Sequence, residues 1–185
     1  KLLKWDLIGH SMGGGTVAAM TLDRPEKTKT AIMVAGALSE NNPSQFSVLL
    51  KYPPVRRWIK VVLYMVAIQP KRIESFLESA YGRMPTASEL EGYLTPLKQP
   101  GTSSTMIDLI LTSKNEPIER LENSNIPIYG IWGSDDSWVP VSEAEKIRER
   151  IPDFEYSVIE GSSHCPMETH PEEFNRILLG ILNEN

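Results

Sequence analysis

A serine set among glycines, two adjacent aspartates and a late histidine are the residues whose types and order could carry covalent chemistry. Gly9-His10-Ser11-Met12-Gly13 follows an apolar run and leads into a helix-forming stretch. A strand that turns sharply into a helix strains its central residue, so the neighbours two positions away should be nearly free of side chain. Gly9 and Gly13 meet that demand, and Gly14 and Gly15 let the helix lie close to the sheet at a cost in helix propensity. Such a turn is a nucleophile elbow: it presents the Ser11 hydroxyl, and the Met12 N–H at the helix start is placed to meet an oxyanion. A serine hydroxyl is a weak nucleophile until a base removes its proton, and the base needs an acid to orient it. Downstream, Asp135 and Asp136 stand in Gly133-Ser134-Asp135-Asp136-Ser137-Trp138-Val139-Pro140, and His164 stands in Gly161-Ser162-Ser163-His164. Glu40 or Asn41 would be a more distant source of the acid.

The elements that must position these residues are readable from periodicity. Leu2–Ile8 and Thr30–Ala35 are apolar runs stopped by glycines, with a helix expected over Thr16–Leu22 between them. From Ile126 the alternation resumes: a strand over Ile126–Trp132, a helix over Val141–Ile151, a strand over Phe154–Ile159 and a closing helix over Pro171–Leu182. Near-continuous apolar strands joined by helices imply an α/β protein with a parallel sheet of about four strands covered on both faces. Each chemistry-bearing loop follows a strand, and the carboxyl ends of parallel strands are where sites are built. The stretch from about Ser39 to Ser124 has no convincing strand. It reads as helices over Val55–Ile68, Arg72–Tyr81, Ala87–Leu94 and Ser104–Ser113, broken by prolines 43, 53, 54, 70, 85, 96 and 100. Residues 1–38 and 125–185 are therefore expected to form the core and residues 39–124 a helical cap insertion, with simple coverage of a sheet face as the alternative.

Three loops in this order resemble the α/β-hydrolase family: the G-x-S-x-G elbow, an acid loop with an aspartate three residues past its glycine and before Val139-Pro140, and a histidine loop followed by Pro171-Glu172-Glu173-Phe174. The resemblance implies that Ser11 is the nucleophile, His164 the general acid/base and Asp136, ahead of Asp135, the acid that orients it. It covers nearly all of the chain, is specific in the three loops and only architectural in the cap. It also implies a second oxyanion-hole donor from an upstream loop, often in an HG motif, which does not occur here. In family terms Leu2–Ile8 is a central strand, and in this chain it would be a sheet edge with unpaired backbone groups and exposed apolar residues. A fragment, a separate N-terminal chain or homo-oligomerisation would each account for that edge.

The remaining candidates are secondary. His10 is expected to line the pocket or support the site, Trp138 to wall it, and His170 to cap the final helix. Cys165 reads as packing, and the three histidines lack metal-ligand spacing. Trp58, Tyr64, Met65, Tyr81 and Tyr93 could line an acyl pocket, with ordinary packing the expectation for most of them. The 19 basic and 24 acidic residues give a formal charge of -5, with no basic cluster to attract nucleic acid. One cysteine cannot form an internal disulfide, and the longest apolar run, Val61 to Ile68, falls short of the roughly 20 residues needed to span a bilayer. A cytoplasmic protein with no membrane or nucleic-acid partner is expected. The resemblance implies a cofactor-free serine hydrolase of small carboxylic esters. A carbon–carbon bond hydrolase, a cofactor-free haloperoxidase relative, and a non-catalytic binding or scaffold module are the alternatives.

Overall fold

The computed structural model of the chain describes residues 4–36, 58–59, 69–112 and 118–184. Among them, four strands form one parallel sheet in the order β1 (Trp5–His10), β2 (Thr28–Val34), β3 (Ile128–Gly133) and β4 (Glu155–Ile159). Spatial order follows chain order, so every connection returns to the same end of the sheet and all four carboxyl ends lie along one margin. The expected α/β architecture is the one observed.

Strand alternation explains the two-sided core. On β2 and directly after it, Ala31, Met33 and Ala35 belong to one apolar cluster, with Val17 and Ala18 of helix α1 (Met12–Asp23), Trp132, Phe154 and Ile147. Ile32 and Val34 point to the other cluster, with Ile131, Ile159, Phe174 and Ile181. A strand buried on both faces must be apolar at consecutive positions, which is why Thr30–Ala35 reads as a continuous run.

One helix departs from expectation. Helix α1 begins at Met12, four residues before the expected Thr16, and takes in all three glycines. Gly14 and Gly15 are buried there, and close packing outweighs their poor propensity. Strand β1 starts three residues after the expected Leu2, and the other strands are shifted by two residues or fewer.

Contacts divide the chain into two compact units. One comprises Lys1–Glu40, Ala80–Gly82 and Asn115–Asn185; the other comprises Asn41–Ser79 and Arg83–Lys114. Besides the sheet, the first contains the short helix α5 (Ile118–Leu121), α6 (Val141–Arg150), the short α7 (Pro166–Thr169) and α8 (Pro171–Glu184). The sequence signalled neither α5 nor α7, since four residues are too few to show a period. Helices α2 (Pro70–Tyr81), α3 (Ala87–Leu97) and α4 (Thr102–Thr112) lie wholly or mostly in the second unit. There, α3 opens with a capping box: the Glu89 N–H donates to Thr86 Oγ1, and the Thr86 N–H donates to the Glu89 carboxylate. Arg83 grips that carboxylate with both terminal nitrogens and holds its pKa down at about 2. The expected helix over Val55–Ile68 lies outside the described residues, apart from a helical pair at 58–59. No helix among the described residues is long and apolar enough to cross a membrane.

Candidate active site

Three loops at the sheet's carboxyl margin hold the chemistry-bearing residues. Ser11 sits between β1 and α1 with φ 53°, ψ -119°, a left-handed backbone rare for a residue with a Cβ. Its own N–H is tied to the Val34 carbonyl at 2.8 Å, and its carbonyl accepts from the Gly14 N–H at 2.9 Å, so neighbouring elements enforce the strained turn. Gly9 is indispensable to it: a Cβ there would lie 2.2 Å from the Gly13 carbonyl oxygen and 2.7 Å from Val17 Cγ2. Gly13 differs from expectation, because a Cβ there would meet nothing within 4 Å. The Gly13 backbone abuts Gly9, but a side chain on Gly13 would point into open space, so only the first glycine of the pair is sterically required. Met12 is the first helical residue, and its N–H has no intrahelical acceptor.

The acid and base loops are locked together through their backbones. Gly133, the last residue of β3, passes so close to the base loop that a Cβ would stand 2.2 Å and 2.3 Å from the Ser162 and Ser163 carbonyl oxygens. The Ser134 N–H donates to Ile159 at 3.0 Å, the Asp135 N–H to Ser162 at 2.9 Å, and the Gly161 N–H to Ser134 Oγ at 2.8 Å. Asp136 is thereby carried against His164, whose Nδ1 lies 2.8 Å from Asp136 Oδ2, with the two side chains 3% and 0% exposed. The other carboxylate oxygen accepts the backbone N–H groups of Trp138 and Val139 at 2.8 and 2.9 Å. Every direction of the carboxylate is thus fixed. Because a carboxylate accepts, the proton of this bond sits on His164 Nδ1, so it is on Nε2 that a neutral ring carries its lone pair. Asp135 is exposed, and its carboxylate is engaged by the Ser134 hydroxyl at 2.9 Å. Of the two aspartates, the structure brings Asp136 to the histidine.

His164 lies between two rings, with centroid distances of 4.8 Å to His10 and 4.9 Å to Trp138. His10 Nε2 lies 2.8 Å from the His164 carbonyl oxygen, which can only accept, so that nitrogen is protonated. Burial lowers the His10 pKa below 6.5, with the His164 carbonyl bond and the Glu168 and Asp136 carboxylates opposing and His164 adding to the shift. His10 therefore supports the backbone of the base loop. Ser11 Oγ makes no hydrogen bond to His164, so among the three expected partners only the acid–base link is closed.

Elsewhere, Cys165 is buried. Desolvation, then the Glu168 and Asp136 carboxylates, push its thiol up to about 12, which leaves it protonated. His170 directly precedes α8, and its Nδ1 lies 3.0 Å from Thr169 Oγ1. Trp58 is 72% exposed, against the packing expected of it, and Tyr93 is half-buried. Tyr64, Met65, Glu40 and Asn41 lie outside the described residues. No group of three or more His, Cys, Asp or Glu among the described residues could hold a metal ion. The backbone donors at Trp138 and Val139 were not anticipated. Their signal is the aspartate-turn habit of accepting from the N–H groups two and three residues on.

A parallel sheet covered on both faces, with a strained serine after its first strand here and a buried Asp–His pair on the loops after the last two, defines an α/β-hydrolase. The chain matches the family model described as serine aminopeptidase, S33, over residues 3–170, and it belongs to that family. It is 25% identical over 186 residues to a 2-hydroxy-6-oxononadienedioate/2-hydroxy-6-oxononatrienedioate hydrolase of a Pseudomonas species, covering 95% of this chain and 62% of that one. A pimeloyl-acyl-carrier-protein methyl ester esterase of Yersinia enterocolitica is 22% identical over 191 residues, covering 96% and 69%. Among solved structures, the meta-cleavage product hydrolase of Pseudomonas fluorescens superposes with a TM-score of 0.76 at 18% identity, over 99% of this chain and 66% of that one. The chain spans about three fifths of the length of the first of these relatives.

Proposed function

We propose that the chain is the part of a serine hydrolase that carries its catalytic triad, and that it acts on carboxylic esters through an acyl-enzyme. The observation that supports this most is the buried 2.8 Å bond from His164 Nδ1–H to Asp136, set on the same sheet margin as a serine held at φ 53°. In this reading Ser11 Oγ attacks the ester carbonyl while His164 Nε2 takes its proton. The Met12 N–H stabilises the oxyanion, and the imidazolium, steadied by Asp136, then protonates the departing alcohol. Water enters, loses its proton to Nε2 and attacks the acyl carbon, and Ser11 recovers its proton as the acid leaves. The Ser11–His164 bond, open in the structure, closes as substrate settles, as such bonds commonly do. No cofactor takes part. Trp138 walls the site, and substrate choice rests with segment 39–124.

The test is hydrolysis of short p-nitrophenyl esters. Ser11→Ala should lower turnover about 10⁴- to 10⁶-fold. Asp136→Asn should cost roughly 10⁴-fold, whereas Asp135→Asn should leave the rate nearly intact. Wild type and Ser11→Ala that are equally inert while folded would sink the reading for this chain.

A second reading, hydrolysis of a carbon–carbon bond by the same triad, is favoured by the relatives named as 2-hydroxy-6-oxononadienedioate/2-hydroxy-6-oxononatrienedioate hydrolases. Turnover of such an oxo-acid in preference to simple esters would decide for it.

A further inference from the structure

Tyr81 is only 3% exposed, yet its hydroxyl is not idle: it donates to Glu168 Oε2 at 2.5 Å, across 87 residues of chain. Glu168 lies four residues past His164, in α7, where its N–H is bound to the Cys165 carbonyl at 3.1 Å. The next residue after the tyrosine, Gly82, has φ 68° and runs so close to the base loop that a Cβ would lie 2.4 Å from Ser163 Oγ. Residues Ala80–Gly82 belong to the unit that contains the sheet. They therefore touch the base loop on both sides of the histidine, at Ser163 before it and at Glu168 after it. A phenol bound to a carboxylate is a charge-assisted bond, stronger and more directional than a neutral one. The carboxylate is also close enough to the site to act on both His10 and Cys165.

We propose that Tyr81 is a positioning residue for His164, acting through Glu168. Its hydrogen bond fixes the turn from Ser163 to Glu168 so that the imidazole stays aligned on Asp136 and its Nε2 stays aimed away from that carboxylate. The consequence for catalysis rests on the reading of His164 as the base. The alignment itself does not.

The experiment compares wild type, Tyr81→Phe, Glu168→Ala, Glu168→Gln and the Tyr81→Phe/Glu168→Ala pair in the whole chain. Phenylalanine keeps the buried ring and removes only the hydroxyl, while glutamine keeps an acceptor for it. The first readout is the rate at which a fluorophosphonate labels Ser11, with Ser11→Ala as the blank. The second is the exchange rate of the His164 Nδ1 proton by NMR, which needs no activity. Tyr81→Phe and Glu168→Ala should each slow labelling by roughly five- to tenfold, the loss of one such bond. The double variant should be no slower than the worse single one, because both remove the same bond. Glu168→Gln should recover most of the rate, and ring-proton exchange should quicken in Tyr81→Phe. A wild type labelled no faster than the blank refutes the catalytic reading and leaves the ring proton to decide this one. An unchanged ring-proton exchange rate in Tyr81→Phe overturns the proposal whatever the labelling shows.

Discussion

At the residue scale, His164 is held by more contacts than the one to Asp136. His164 has Asp136 at its ring nitrogen, His10 at its carbonyl and rings on two sides, so truncating any one neighbour loosens the others. His10 also makes the site sensitive to acid. Its folded pKa lies below the 6.5 of the free side chain, with burial the largest cause. As pH falls below 6.5 the unfolded chain takes up a proton that folded His10 resists, so the unfolded state binds more protons and stability falls with it. The contribution is therefore present above 6.5 and lost as pH drops towards the lowered folded value. Urea denaturation at pH 7, 6 and 5 should show the midpoint falling more steeply for wild type than for His10→Asn. Parallel slopes would refute this. The amide of asparagine keeps a donor for the His164 carbonyl, so the comparison isolates the titration.

At the element scale, glycines let strand and loop backbones approach. Gly9→Ala would drive a methyl group into the Gly13 carbonyl, and the backbone there cannot move without disturbing Ser11. A loss of about 2 kcal/mol or more is expected, at the upper end of ordinary substitutions. Gly13→Ala opens no clash and replaces a poor helix former, so denaturation should find it neutral or up to about 1 kcal/mol more stable. The sequence showed the first glycine's role but overstated the second's, because the motif cannot say which way a side chain at the second glycine would point. The strands were legible because β2 and β3 are buried on both faces and carry unbroken apolar runs. The first turn of α1 was less so, since the apolar periodicity begins only at Thr16 and three glycines in a row carry no pattern. The three loops were legible by residue type and order. The bond between Tyr81 and Glu168 was not, because two residues 87 positions apart leave no local pattern.

At the scale of the whole molecule, β1 is a margin. Among the described residues it pairs with β2 alone, and Ile8 is 45% exposed while Ile32, its register partner on β2, is at 0%. An apolar strand edge of this kind invites pairing. We predict that the chain self-associates or takes up a separate strand-bearing partner there. Light scattering on the purified chain should find a species heavier than its 20.8 kDa, and a stable monodisperse monomer would count against this. The sheet also sets an order of events at birth. The His10 ring is bound to a carbonyl 154 residues further along the chain, and His164 is made 153 residues after Ser11. At roughly 5–20 residues per second, a ribosome exposes the serine on the order of ten seconds or more before the histidine exists. Until then the nascent polypeptide holds the Ser11 hydroxyl without the histidine proposed to deprotonate it.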